Sequence, residues 1–284
     1  MSALLTIEDL TVAFPRDGGG EELAVRGVNL TMGREKVGIV GESGSGKSLT
    51  ARCILGVQAV HARCTARAMR FDGVDLLTAT PRQMRSLRGG RIGMVMQDPR
   101  HALDPVQRIG DQIVEAIRLG DRKISRRDAW AKARNMLESV EIREPDRVMR
   151  LYPHEVSGGM GQRVMIAIVF VREPDLLIAD EVTSALDVTV SARILELLDE
   201  MVTRRNMGLI FISHDLNLVS RFCDRVLVMY AGRVVEEIAA ADLHNAQHPY
   251  TQGLLACMPQ IGGPQEPLPV LQRQESWREE GAGA

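Results

Sequence analysis

A mainly parallel α/β fold is what this 284-residue chain predicts, and three observations carry that expectation. Two short, wholly apolar runs, Leu176-Leu177-Ile178-Ala179 and Leu209-Ile210-Phe211-Ile212, alternate with helix-period segments, the pattern of strands covered on both faces. A third run, Lys36-Val37-Gly38-Ile39-Val40, leads directly into a glycine-rich stretch. Hydrophobic residues make up 45% of the chain and charged residues 25%, enough apolar material for a large core. With aromatics at 4%, aliphatic side chains have to fill it.

Taken in order, Leu4–Phe14 alternates loosely as a strand, residues 16–21 form a turn or loop, and Leu23–Thr31 resumes the strand pattern. From about Gln97 to Pro153 charge and helical spacing take over. Over Arg126–Val140, Trp130, Ala133, Met136, Leu137 and Val140 fall on one stripe of a helix. The basic residues Arg122, Lys123, Arg126 and Arg127 around it read as a solvated face. Further on, Ser191–Arg204 is a helix with Ile194, Leu197, Leu198, Met201 and Val202 on one side. Arg225–Tyr230 and Arg233–Ile238, joined at Ala231-Gly232, form a hairpin. Pro259 onward reads as an extended tail.

Charge and composition exclude several roles. A net charge of −2 argues against a strongly basic nucleic-acid surface, so nucleic acid is not an expected partner. The longest apolar run, Val164–Val171, is far short of the roughly 20 residues that span a bilayer. Met1–Asp9 lacks the basic start of a signal peptide. Cys53, Cys64, Cys223 and Cys257 are scattered with no metal-binding spacing.

The chemistry starts at Gly41-Glu42-Ser43-Gly44-Ser45-Gly46-Lys47-Ser48, which matches G-x-x-x-x-G-K-[ST] immediately after a strand. Glycines let backbone N–H groups turn inward around phosphate oxygens, and the following helix presents its positive N-terminus. Lys47 reaches the terminal phosphates and the Ser48 hydroxyl ligates Mg²⁺ in such loops. Phosphoryl transfer also needs a metal anchor and a group to orient water. The strand ending Ala179-Asp180-Glu181 offers both: Asp180 for Mg²⁺ and Glu181 for the attacking water. His214, just past another strand, sits at a sheet edge where ligands bind in such folds.

Val156-Ser157-Gly158-Gly159-Met160, ahead of an apolar helix, resembles the signature motif of ATP-binding cassette (ABC) ATPases. Gln97 resembles the Q-loop glutamine, Ser184-Ala185-Leu186-Asp187 the D-loop, and His214 the switch histidine, all in the family's order. Gln97-Asp98-Pro99, Ala102-Leu103-Asp104-Pro105, Tyr152-Pro153-His154-Glu155, Val188-Thr189-Val190 and His248-Pro249-Tyr250-Thr251 are similar to the subgroup that imports oligopeptides, dipeptides and nickel.

The resemblance implies a P-loop NTPase of the ABC type over residues 1–258, with a strand-rich N-terminal part, an inserted helical subdomain at about 97–155, and a tail at 259–284. It implies ATP and Mg²⁺ as ligands, the metal held by Ser48, Gln97 and Asp180, with Glu181, His214 and Gln97 as the catalytic group. The nucleotide site would run from Gly41 to Leu49, with Phe14 stacked on the adenine. Ser157, Gly158, Gly159 and Asp187 would complete the ATP site of an opposed ATPase subunit, commonly a different chain in this subgroup. The other implied partners are two membrane permease subunits and an extracytoplasmic solute-binding protein, at the cytoplasmic face of the cell membrane.

Three positions depart from the family pattern: Val182 stands in place of a proline, Gly161 in place of a basic or polar residue, and Met160 in place of a more general glutamine. None removes a catalytic group, so the expectation is an ATP-hydrolysing importer subunit, with peptide as cargo. A degenerate regulatory partner that scarcely hydrolyses ATP, or a subunit importing nickel or an opine-like solute, are the competing readings. Many peptide-import subunits carry a cysteine-rich iron–sulfur segment after the H-P-Y motif; only Cys257 lies there, so no cluster is expected.

Overall fold

The computed structural model describes residues 3–16, 18–184, 186–258 and 277. They divide into two compact units, one of residues 1–79 with 210–284 and the other Thr80–Leu209.

The first unit opens with β1 (Leu5–Pro15), displaced by one residue from the predicted strand, and β2 (Glu21–Met32), which starts two residues earlier and ends one later than the alternation predicts. They pair antiparallel from Leu5↔Met32 to Pro15↔Glu21. Next come β3 (Lys36–Val40), α1 (Lys47–Leu55), β4 (Arg63–Thr65), β5 (Ala68–Phe71) and β6 (Val74–Asp75). Strands β2, β1, β5 and β6 lie side by side in that order, with β4 also paired to β1. These last three strands, of two to four residues, are too short to show a period and are absent from the sequence reading.

The second unit carries α2 (Pro81–Leu87), β7 (Ile92–Val95), α3 (Pro99–Ala102), α4 (Ile109–Gly120), α5 (Arg126–Ser139), α6 (Pro145–Val148), α7 (Gly158–Phe170), β8 (Leu176–Asp180) and α8 (Val188–Arg204). Helix α5 forms where predicted, but its buried stripe is Ala129, Ala133, Met136 and Leu137. Trp130 is half-buried, and its ring packs on α4, with Cη2 2.9 Å from where a Cβ on Gly110 would stand. Helix α8 begins three residues before the predicted Ser191, because Asp187 Oδ1 accepts from Val190 N–H at 2.9 Å and caps it there. Around Glu141 the helices are tied by charge. Arg163 of α7 donates to its Oε2 at 2.7 Å, and Arg193 of α8 donates to both carboxylate oxygens. Arg193 first, then Arg163, holds the Glu141 carboxyl below the usual carboxylate range.

Strand β9 (Gly208–Ile212) returns the chain to the first unit, which closes with α9 (Leu216–Phe222), β10 (Arg225–Tyr230), β11 (Arg233–Ala239) and α10 (Pro249–Ala256). Here β11, β10, β3 and β9 are neighbours in that order. β10 runs parallel to β3 from Arg225↔Val37 to Val228↔Val40, and the predicted β10–β11 hairpin is antiparallel. β3 is buried at Val37, Ile39 and Val40, which is worth roughly 1.5–3 kcal/mol per side chain. Its Gly38 lets α9 settle on the sheet: a Cβ there would lie 2.2 Å from Val219 Cγ1. Gly38→Ala is therefore expected to cost about 1–3 kcal/mol by overpacking, read as a melting temperature lower by roughly 2–10 °C. An unchanged melting temperature would show that α9 can shift. The predicted tail at 259–284 lies outside the described residues except for Trp277.

Candidate functional site

In the first unit the glycine-rich stretch is folded as a loop between β3 and α1. Gly41 has φ 149°, and a Cβ on it would stand 2.1 Å from the Met229 carbonyl oxygen of β10. Gly46 has φ 99°, a conformation that glycine tolerates, and a Cβ there would meet the Ala24 carbonyl at 2.9 Å. Gly46 is also the N-cap of α1, which has no side-chain cap and no acidic residue in its first turn. The helix thus directs its amide groups and partial positive charge at the loop. Lys47 is buried, 4% exposed, and its Nζ donates to the carbonyls of Gly41 and Glu42, each at 2.8 Å. A buried ammonium, an uncapped helix start and a glycine wall suit a polyphosphate. Ser43 and Gly44 are exposed at the rim, Ser48 and Leu49 are half-buried in the first turn of α1, and the buried Ser45 Oγ has no hydrogen-bond partner.

His214 lies on the same side of this sheet. Ser213 N–H donates to the Ile39 carbonyl at 3.2 Å, which sets the end of β9 beside the end of β3. Asp215 then caps α9 by accepting from Leu218 N–H at 3.1 Å, leaving the exposed His214 at the carboxyl edge. Phe14 is half-buried near the end of β1, opposite Glu22, and so is not a core residue.

In the second unit β7 and β8 are parallel, and their last pair is Val95↔Ala179. Gln97 and Glu181 each lie two residues beyond it, so the register brings both to one carboxyl edge, with the buried Asp180 between the sheet and Glu181. Glu181 has φ 50°, an uncommon left-handed conformation for a residue with a side chain. A turn holds it there: Ser184 donates to the Glu181 carbonyl from N–H at 3.2 Å and from Oγ at 3.0 Å. Val182, where the family has proline, is 1% exposed and serves as a core side chain.

The signature residues start α7. Ser157 is its N-cap, with Oγ accepting from Met160 N–H at 3.4 Å. Ser157 and Gly158 are exposed, whereas Gly159 lies under α8, with a Cβ position 2.9 Å from Val190 Cγ1. Gly159 thereby packs against the segment that follows Asp187, while the Cβ position of Gly158 lies 3.9 Å from Leu186 Cδ2. Gly161 also has a packing reason: Pro99 Cγ of α3 lies 3.2 Å from its Cβ position, so a side chain there requires the Pro99 ring to give by a few tenths of an ångström. The helical cost of that glycine, about 1 kcal/mol, is set against this close contact.

Residues 25–184 match the family pattern described as ABC transporter. This chain belongs to the ABC transporter family. It is 46% identical over 271 residues to a probable D,D-dipeptide transport ATP-binding protein, DdpD, of Escherichia coli K12, covering 94% of this chain and 82% of that protein. It is 44% identical over 262 residues to the oligopeptide transport ATP-binding protein OppD of Salmonella typhimurium, covering 92% and 77%. Among solved structures it resembles a dimeric ATP-binding cassette, MJ0796, in a post-hydrolysis state bound to ADP and Pi. The TM-score is 0.74 at 25% identity, covering 83% of this chain and 98% of that one. As an ABC ATPase the chain has the mixed α/β, P-loop architecture that its sequence predicts. Tyr250, which serves in the sequence only as part of a subgroup motif, proves to touch the loop: its Oη accepts from Glu42 N–H at 3.1 Å.

Proposed function

We infer that this ABC ATPase binds ATP on its Gly41–Leu49 loop, hydrolyses it, and energises the import of peptides. The phosphate loop with Lys47 poised inside it carries the reading, and the relatives named for dipeptide and oligopeptide transport support the cargo class. In this reading Lys47 leaves the Gly41 and Glu42 carbonyls for the terminal phosphates, and the amides at the start of α1 hold the others. Phe14 stacks on the adenine. Glu181 takes the proton of the attacking water, with His214 and Gln97 positioning the terminal phosphate and that water.

Ser48, Gln97 and Asp180 would hold Mg²⁺. A hydroxyl, an amide oxygen and a carboxylate make an oxygen-only set, too small for an all-protein cage and suited to a hydrated ion shared with phosphates. Bound there, Mg²⁺ would neutralise charge on the phosphate oxygens.

Ser157 and Gly158 at the start of α7 are exposed, and they fit a role on nucleotide held by a second ATPase subunit, together with Asp187. Two permease subunits and an extracytoplasmic solute-binding protein complete the proposed assembly. Among the described residues no helix is long and apolar enough to cross a membrane, and the proposed place is peripheral, at the cytoplasmic face. Ser157→Arg is expected to stop hydrolysis at the companion's site while leaving ATP binding on this chain's own loop within about twofold. Nucleotide binding to this chain and phosphate release by the assembled transporter are the measurements. Equal loss of both would contradict a site shared between subunits.

A further inference from the structure

The two ends of one peptide group in the phosphate loop are held by two different side chains. The carbonyl of the Gly41–Glu42 peptide accepts from Lys47 Nζ at 2.8 Å, and its N–H donates to Tyr250 Oη at 3.1 Å. These holds differ in permanence. Under the ATP reading above, on which this inference rests, the Lys47 ammonium is drawn to the terminal phosphates, so its grip on the Gly41 carbonyl is released as nucleotide binds. Gly41, without a Cβ, offers little steric resistance to rotation of the peptide that follows it.

Tyr250 is built to stay. It is fully buried, and a buried phenol hydroxyl is normally hydrogen-bonded. Its ring is 4.5 Å from that of Tyr230, centroid to centroid, and 6.0 Å from that of Trp277. His248 Nδ1 accepts from the Tyr250 N–H at 3.1 Å and caps α10, which fixes the backbone that carries the ring. Tyr230 directly follows Met229, whose carbonyl faces the Cβ-less Gly41, so the aromatic cluster and the loop stand on the same end of β10.

We propose that Tyr250 is a positioning residue for the phosphate loop, keeping the Gly41–Glu42 peptide oriented while Lys47 is engaged by the triphosphate. The His248-Pro249-Tyr250 segment thereby acts on nucleotide affinity from 208 residues further along the chain.

The test is Tyr250→Phe in the assembled transporter, which removes one oxygen and keeps the ring. One hydrogen bond of ordinary strength converts to a KM for ATP raised about 3- to 10-fold. The expected result is that rise with kcat changed less than twofold and a melting temperature without nucleotide lowered by no more than a few degrees. An unchanged KM overturns the proposal, as does a joint fall of kcat, affinity and melting temperature, which would mark a merely structural residue. Should the variant not fold, amide exchange of Glu42 in the wild-type protein decides: protection maintained on adding ATP supports the proposal, and its loss overturns it. Wild-type protein that binds no ATP at all would instead overturn the nucleotide reading, and this one with it.

Discussion

Lys47→Ala is expected to lower ATP affinity by about 10²-fold or more and to abolish uptake. The ammonium is almost fully enclosed, so its bonds to phosphate form where water competes little, and each charge-assisted bond contributes roughly 1.5–3 kcal/mol. Two such bonds account for an effect of that size. The same side chain also satisfies the Gly41 and Glu42 carbonyls before nucleotide arrives. Its removal is therefore expected to lower stability as well, by about 1–3 kcal/mol. Equilibrium ATP binding and a thermal melt without nucleotide separate the two effects. Wild-type affinity in the variant would show that the loop binds phosphate without its lysine, and would remove the main support for the site.

Much of this organisation is legible in the residues because local physics writes it there. Val37–Val40 carries three apolar side chains and leads into a glycine-rich stretch, and it forms a strand entering a loop, as that pattern requires. Ser157 before two glycines and an apolar run reads as a helix start, and it caps α7. Helix α2 is absent from the sequence reading, since seven residues are too few to show a period, although Thr80 and Gln83 form a capping box there with Pro81 at the first helical position.

Other features depend on contacts distant in sequence and leave no local trace. Gly161 looks like a weakness in a helix until Pro99 is seen against it. Val182 looks like a lost proline until its burial shows that it fills the core. Trp130 falls on the predicted stripe of α5 yet turns to cover Gly110, a choice made by α4. The left-handed backbone of Glu181 is imposed by the turn to Ser184, and no propensity announces it. Tyr250 is the furthest case, since its partner Glu42 belongs to the other end of the chain.

The central claim is that this chain cleaves ATP rather than only holding it, and Glu181→Gln in this chain alone tests it most directly. Glutamine keeps the size and the turn that holds the backbone, since Ser184 bonds the Glu181 carbonyl and not its side chain. What it removes is the proton acceptor, a loss that typically costs about 10²–10⁴-fold in rate. The measurement is single-turnover phosphate release from ATP bound at this chain's loop in the assembled transporter. Release slowed by that factor, with ATP affinity within a few-fold of wild type, is the outcome predicted. Release at the wild-type rate would contradict it, and would mark the chain as a regulatory partner whose companion does the hydrolysis.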